Sequence, residues 1–163
     1  MLKTLKPGAI VAEGWLREQL IRSREGMGGH LDELEPAMLR DPYLRHSSDK
    51  GWGESIQAGW GAEISGNFWF AEVVLAYSLD DEGLKKKVTD WVDGVLAARF
   101  PDGYMGTYTE QDDRFDDYNA WGTACGMRAL LLYHDATGRQ DVLDAVHDCL
   151  LWFCRNWAGD RKT

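Results

Sequence analysis

The sequence is short of several things. It has no apolar run near the roughly 18 residues that a membrane span requires, and its N-terminus lacks the charged, apolar and small-residue regions of a signal peptide. It has three cysteines and no Cys-x-x-Cys. Such cysteines read as small buried hydrophobes in a reducing compartment, so a cytoplasmic location is expected. Basic residues are the minority, with 18 Lys and Arg against 27 Asp and Glu, and a net charge of −9. That excludes a phosphate-binding surface, which needs clustered Lys and Arg, so no nucleic acid partner is expected. The run Lys85 to Lys87 reads as a solvated helix face. No stretch alternates as a strand does. His30, His46, His134 and His147 are scattered, and the acidic run 110–117 lacks the D-x-[DN]-x-[DN]-G calcium loop. No metal and no cofactor are therefore expected.

What is present is helical pattern. The chain has 163 residues, enough for about one domain, with 44% hydrophobic and 28% charged residues. From Phe68 to Tyr77 it is apolar on nearly every side, with Glu72 the only charge. A helix hydrophobic all round belongs in an interior. Asp80 to Gly83 break the run. Leu84, Val88, Trp91, Val92, Val95 and Leu96 then form one helical stripe, with Lys85, Lys86, Lys87, Asp90 and Asp93 off it. An inner helix, a tight turn and an outer helix make an αα-hairpin.

The unit recurs. Trp121 to Tyr133 is a second inner-type run, Thr137-Gly138 makes the turn, and Val142, Val146, Cys149, Leu150, Phe153 and Cys154 repeat the outer stripe at a constant offset of 58 residues. Helical repeats of about this period stack, burying faces that no single hairpin could bury. The fold class expected is all-α: stacked αα-hairpins forming a single domain over 1–163, with hairpins at about 64–98 and 117–157 and a leading helix at 7–24. Pro7 suits a first helical position. Gly26, Gly28 and Gly29 end that helix, and residues 30–40 hold a further turn or two. Gly, Ser, Asp and Trp dominate 41–62, which reads as a long loop. A second long loop runs from Phe100 to about Phe115.

Turns within each hairpin are short and connections between hairpins long. This puts both long loops at one end, beside the N-termini of the inner helices, where free N–H groups and the positive dipole end lie. Long loops on a rigid scaffold are usually functional. The first carries Trp52, Glu54, Gln57, Trp60 and Glu63; the second carries Asp102, Tyr104, Tyr108, Glu110, Asp112, Asp113, Asp116 and Asp117. Aromatic platforms beside carboxylates and amides suit a carbohydrate, and glycoside hydrolysis uses two carboxyl groups across the bond. Each feature also has a structural reading. Trp60, Trp69 and Trp121 read as packing between hairpins, Asp116 and Asp117 as helix caps, and His134 and His147 as ordinary residues at hairpin ends. Glu72 must find a partner or shift its pKa; a structural hydrogen bond is its expected role.

Three segments, Gly66-Asn67-Phe68-Trp69-Phe70-Ala71, Pro101-Asp102-Gly103-Tyr104-Met105-Gly106-Thr107-Tyr108 and Tyr133-His134-Asp135-Ala136-Thr137-Gly138, resemble the N-terminal part of the β-L-arabinofuranosidase family (glycoside hydrolase family 127 type) over about residues 7–157. The resemblance implies a partial (α/α)6 barrel, or α/α toroid, with the active site at the mouth fed by the long loops. It also shows departures. Where members carry a His-Glu pair after the PDGY loop, this chain has Tyr118-Asn119, and a second family histidine falls at or near Cys125. Many members also have histidine near Asn67. The family's nucleophilic cysteine, zinc-binding cysteines and catalytic glutamates lie in later hairpins, so Cys125, Cys149 and Cys154 are not that set, zinc is not carried over, and no catalytic residue is assigned.

A closed six-hairpin barrel would need on the order of 350 residues. The expectation is a fragment of a longer enzyme, or a chain that self-associates to cover its open faces. On the favoured reading it is a carbohydrate-binding part of a glycoside hydrolase-like barrel, with Trp52, Trp60, Glu63, Asn67, Tyr104, Tyr108, Tyr118 and Asn119 lining the sugar site and the catalytic groups absent. On the alternative reading it is a helical-repeat interaction module, binding a protein or a second copy through its apolar inner face.

Overall fold

The computed structural model describes residues 4–44, 54–108, 114 and 117–157, with side chains described for these except 54–60, Asp117 and Trp157. Eight helices are found among them: α1 (Gly14–Glu25), α2 (Met27–Leu34), α3 (Pro36–Leu39), α4 (Asp41–Leu44), α5 (Glu54–Leu79), α6 (Glu82–Ala97), α7 (Asp117–Thr137) and α8 (Gln140–Trp157). No strand occurs among the described residues. The two hairpins are thus α5–α6 and α7–α8, close to the expected bounds.

Three expectations are corrected. The leading helix starts at Gly14, not Pro7: Gly8 (φ +81°) turns the chain away from a right-handed helix, and Gly14 (φ +56°) is the left-handed residue on which α1 begins. Only Gly26 ends it, its N–H bonding the Arg22 carbonyl at 2.9 Å. Gly28 and Gly29 belong to α2, and Gly29 lies so close to the Arg24 carbonyl that a Cβ would collide with it. The stretch 41–62 is mostly helix, since α4 occupies its start and α5 begins at Glu54. Gly61 faces Pro42.

The core lies between α5, α6, α7 and α8, with Tyr43 of α4 reaching into it. Trp69 of α5 stacks on Trp91 of α6, with ring centroids 4.8 Å apart and planes 9° apart, and Tyr43 of α4 meets Trp91 edge-on at 6.0 Å. Val73, Val88 and Val92 are fully enclosed, each worth about 1.5–3 kcal/mol of burial. The α5–α6 turn is closed by Asp81, whose carboxylate accepts the Leu84 N–H at 2.9 Å as an N-cap and also holds Arg24 of α1 at 2.9 Å. α5 and α7 run the same way, as the pairings Ala62 with Gly122, Gly66 with Cys125 and Phe70 with Arg128 show. A Cβ on Gly66 would lie 2.5 Å from the Cys125 carbonyl carbon and the Gly126 nitrogen, so the backbones meet there. Tyr43 fills the gap beneath. Its hydroxyl accepts the Gly126 N–H at 3.0 Å and donates to the Gly122 carbonyl, with the Ala62 carbonyl 3.2 Å away.

The 58-residue repeat holds in three dimensions for half its length. Leu84 and Val142, Val88 and Val146, and Trp91 and Cys149 are buried pairs. Val92 is enclosed while its counterpart Leu150 is 48% exposed, and Cys154 is exposed too, correcting the expectation that all three cysteines are buried. α6 has Leu44 of α4 against its Gly94, whereas at the equivalent place in α8 Trp152 is buried against Tyr104. No described helix is long and apolar enough to cross a membrane.

Candidate functional site

The connection from α6 to α7 reaches the N-terminal end of the inner helices, and its first turn is built by the Pro-Asp-Gly-Tyr motif. The Gly103 N–H bonds the Phe100 carbonyl at 3.0 Å, and the Phe100 N–H bonds the Tyr104 carbonyl at 2.9 Å. Gly103 takes φ +95°, with the Asp148 carbonyl 3.3 Å from where a Cβ would sit, so the turn requires glycine on both counts. Asp102 accepts the Tyr104 N–H at 3.0 Å through one oxygen and the Trp152 indole N–H at 2.9 Å through the other, with Arg114 3.6 Å away. A carboxylate so bonded organises the loop, with its side chain half exposed.

Tyr104 carries this order into α7. It is fully buried, with its ring 4.7 Å from that of Trp152. The Arg114 guanidinium lies over both Phe100 (4.1 Å) and Tyr104 (4.5 Å). The Tyr104 hydroxyl donates to Asn119 Oδ1 at 2.5 Å and accepts the Tyr108 N–H at 3.2 Å. Asn119 Oδ1 also accepts from Thr123 at 3.1 Å, and its amide donates to the Arg114 carbonyl at 2.6 Å. Burial raises the Tyr104 phenol well above its ordinary range, so it stays protonated and serves as donor.

The expected site residues therefore separate into groups. Tyr104, Tyr108 and Asn119 come together, but as the buried frame of the loop, at 0%, 3% and 1% exposure. Asn67 on α5 and Tyr118 on α7 are exposed, and Glu63 is half-buried. Trp52, and the side chain of Trp60, lie outside the described residues, as do Glu110, Asp112, Asp113 and Asp116. Glu63 is near enough to Cys125 to add to the effect of burial, which raises that thiol. Cys125 is thus neither anionic nor nucleophilic at neutral pH.

Trp121, expected to pack between hairpins, is 57% exposed, one turn along α7 from Tyr118 at 51%. The two share a helix face because they are three residues apart. The signal lay in that spacing, and Asn119, Gly122 and Thr123 take the buried side instead. Trp69 does pack, as expected. On the outer-helix side of the loop a cleft of about 430 Å³ is lined by Leu96, Arg99, Phe100, Pro101, Asp102, Gly103, Asp148 and Arg155. Arg99 and Asp148 pair across it at 3.3 Å. Among the described residues no group of three or more His, Cys, Asp or Glu could hold a metal ion.

Stacked αα-hairpins with parallel inner helices are consistent with a six-hairpin (α/α) type of fold. The model of the β-L-arabinofuranosidase GH127 catalytic domain matches residues 35–161. The chain belongs to that glycoside hydrolase family. No curated protein and no solved structure matches it.

Proposed function

We propose that this chain contributes sugar-binding surface to a glycoside hydrolase-like barrel, and that the groups which break the glycosidic bond are not among its residues. The observation that carries this is the exposed aromatic pair Tyr118 and Trp121 at the start of an inner helix, beside the ordered PDGY loop. An aromatic face in water suits the C–H face of a sugar, and the exposed Asn67 and the half-buried Glu63 supply an amide and a carboxylate for hydroxyls. Tyr104, Tyr108 and Asn119 act one layer below, holding that surface in shape. The absence of reacting groups is supported by Tyr118-Asn119 standing where the family has His-Glu, and by Asp102 being bonded to Trp152 and Tyr104. The test is an NMR titration with a β-L-arabinofuranoside. Indole and amide signals of Trp121, Tyr118 and Asn67 should shift, and Trp121→Ala should weaken binding about tenfold, equivalent to 1.4 kcal/mol. Spectra that stay unchanged with this and other furanosides would end the proposal.

A second reading is favoured by a different observation. Ile64, Val74 and Leu131, all on the inner helices, are 37–40% exposed, and such a surface suits a protein partner or a second copy. Light scattering at two concentrations separates the readings, because a strictly monomeric chain would remove self-association.

A further inference from the structure

Three ionisable side chains from three helices meet in the interior beside the Trp69–Trp91 stack. Asp32 of α2 is 3% exposed and Glu72 of α5 is 2% exposed. Lys87 of α6 donates to Asp32 and, at 2.6 Å, to the Gly29 carbonyl, so it ties α2 to the outer helix. Glu72 has no share in those bonds, and its Oε2 has no hydrogen-bond partner. A buried carboxylate without a partner is costly as an anion, so the neutral acid is the form that fits. The Lys87 ammonium is paired with Asp32, and its charge also acts on the unpaired Glu72. α3 is anchored separately, because its Leu39 carbonyl accepts from Ser65 (2.5 Å) and the Trp69 indole (2.7 Å) of α5.

We propose that Lys87 is a shared latch: it holds α2 against α6 while the buried, unpartnered Glu72 is neutral, and ionisation of Glu72 draws on the same ammonium and loosens α2. The charged groups concerned are few. From α6 there is Lys87, and from α2 there are Asp32 and Glu33, the latter 3.7 Å from Lys87 and largely exposed. Glu33 also meets the His30 ring at 3.3 Å, so His30 is the other α2 group to be separated in a pH experiment. Burial is the main influence raising the Glu72 carboxyl. Lys87 opposes it and Asp32 adds to it. Asp32 and Glu72 therefore repel once both are ionised, and the element nearest solvent, α2, yields first.

The experiment is amide hydrogen exchange across pH 5.5 to 8.5, corrected for the intrinsic rate, on the wild-type chain, Glu72→Gln and His30→Asn. Protection of Met27–Leu34 should fall roughly tenfold or more over that range in wild type and in His30→Asn. It should stay level in Glu72→Gln, and α3 should stay level in all three. A fall in Glu72→Gln equal to that in wild type, or no fall in wild type, would overturn the proposal. A carbon-detected NMR titration of the Glu72 carboxyl in the wild-type chain gives a second reading should the variant not fold. A midpoint near neutrality is expected, and one in the ordinary carboxylate range would equally overturn it.

Discussion

Gly66→Ala tests the packing argument most directly, because two effects of known size oppose each other. Alanine favours a helix interior over glycine by about 1 kcal/mol. Against this, the new Cβ would lie 2.5 Å from the Cys125 carbonyl carbon and the Gly126 nitrogen, and 2.7 Å from Cys125 Cβ. Carbon contacts are comfortable at about 3.5–4.0 Å, so α5 and α7 must part by about 1 Å. The obstacle is backbone and cannot rotate away. Parting also strains the Tyr43 hydroxyl, which is held by Gly122 and Gly126 of α7 and faces Ala62 of α5. Overpacking of this kind costs about 1–3 kcal/mol, leaving a net loss of up to about 2 kcal/mol after the helix gain. The control is Gly83→Ala in the exposed first turn of α6, where a Cβ meets only Asp81 Oδ1 at 3.2 Å; it should be neutral or stabilising by up to about 1 kcal/mol. Urea unfolding followed by far-UV circular dichroism measures both. With a slope of about 1–3 kcal/mol/M, Gly66→Ala should lower the midpoint by up to about 1 M. If the two variants shift equally, the close approach of α5 and α7 is refuted.

Other outcomes follow from the same geometry. Burial raises the folded-state pKa of Glu72 from 4.5 to about 7, a difference worth about 3 kcal/mol. The folded value lies above the unfolded one, so this contribution is present below pH 4.5 and lost as pH rises through 7. Denaturation at pH 4 and pH 8 should show Glu72→Gln gaining about 3 kcal/mol on wild type between the two. Tyr104→Phe removes a buried donor from Asn119 and should cost about 1–3 kcal/mol, with faster exchange at the Tyr108 amide. Asp81→Ala loses the α6 cap and the tie to Arg24, and thermal unfolding should report about 1–2 kcal/mol of destabilisation.

The inner and outer helices were legible because their stripes are long and periodic: Leu84 to Leu96 and Val142 to Phe153 left little choice of element or face. The start of α5 was not, because glycine near residues 59–66 is a breaker by local propensity and becomes an asset only when a partner helix is known. Gly61 illustrates this, since it lies within α5 and packs against Pro42. The site was legible as a region but not as roles. The PDGY sequence looks like a ligand loop, yet its Tyr104 is buried and its half-exposed Asp102 bonds the Trp152 indole and the Tyr104 N–H. Trp121 looks like core by residue type, yet it faces solvent. Side-chain chemistry alone does not say which way a residue on a half-buried helix points.

The PDGY turn also bears on how such a chain could be cut and rejoined. Seen as repeats, the two hairpins look like interchangeable modules with a seam between α6 and α7. The hydrogen bonds ignore that seam. Asp102 is fastened to Trp152, 50 residues further on, and Gly103 rests on the Asp148 carbonyl. The loop that leaves one hairpin is therefore finished by the outer helix of the next. A chimera joined at the seam would inherit a loop without its fastening, whereas one that moves residues 99–157 together would carry the loop whole. The unit of inheritance in this architecture is offset from the unit of repetition.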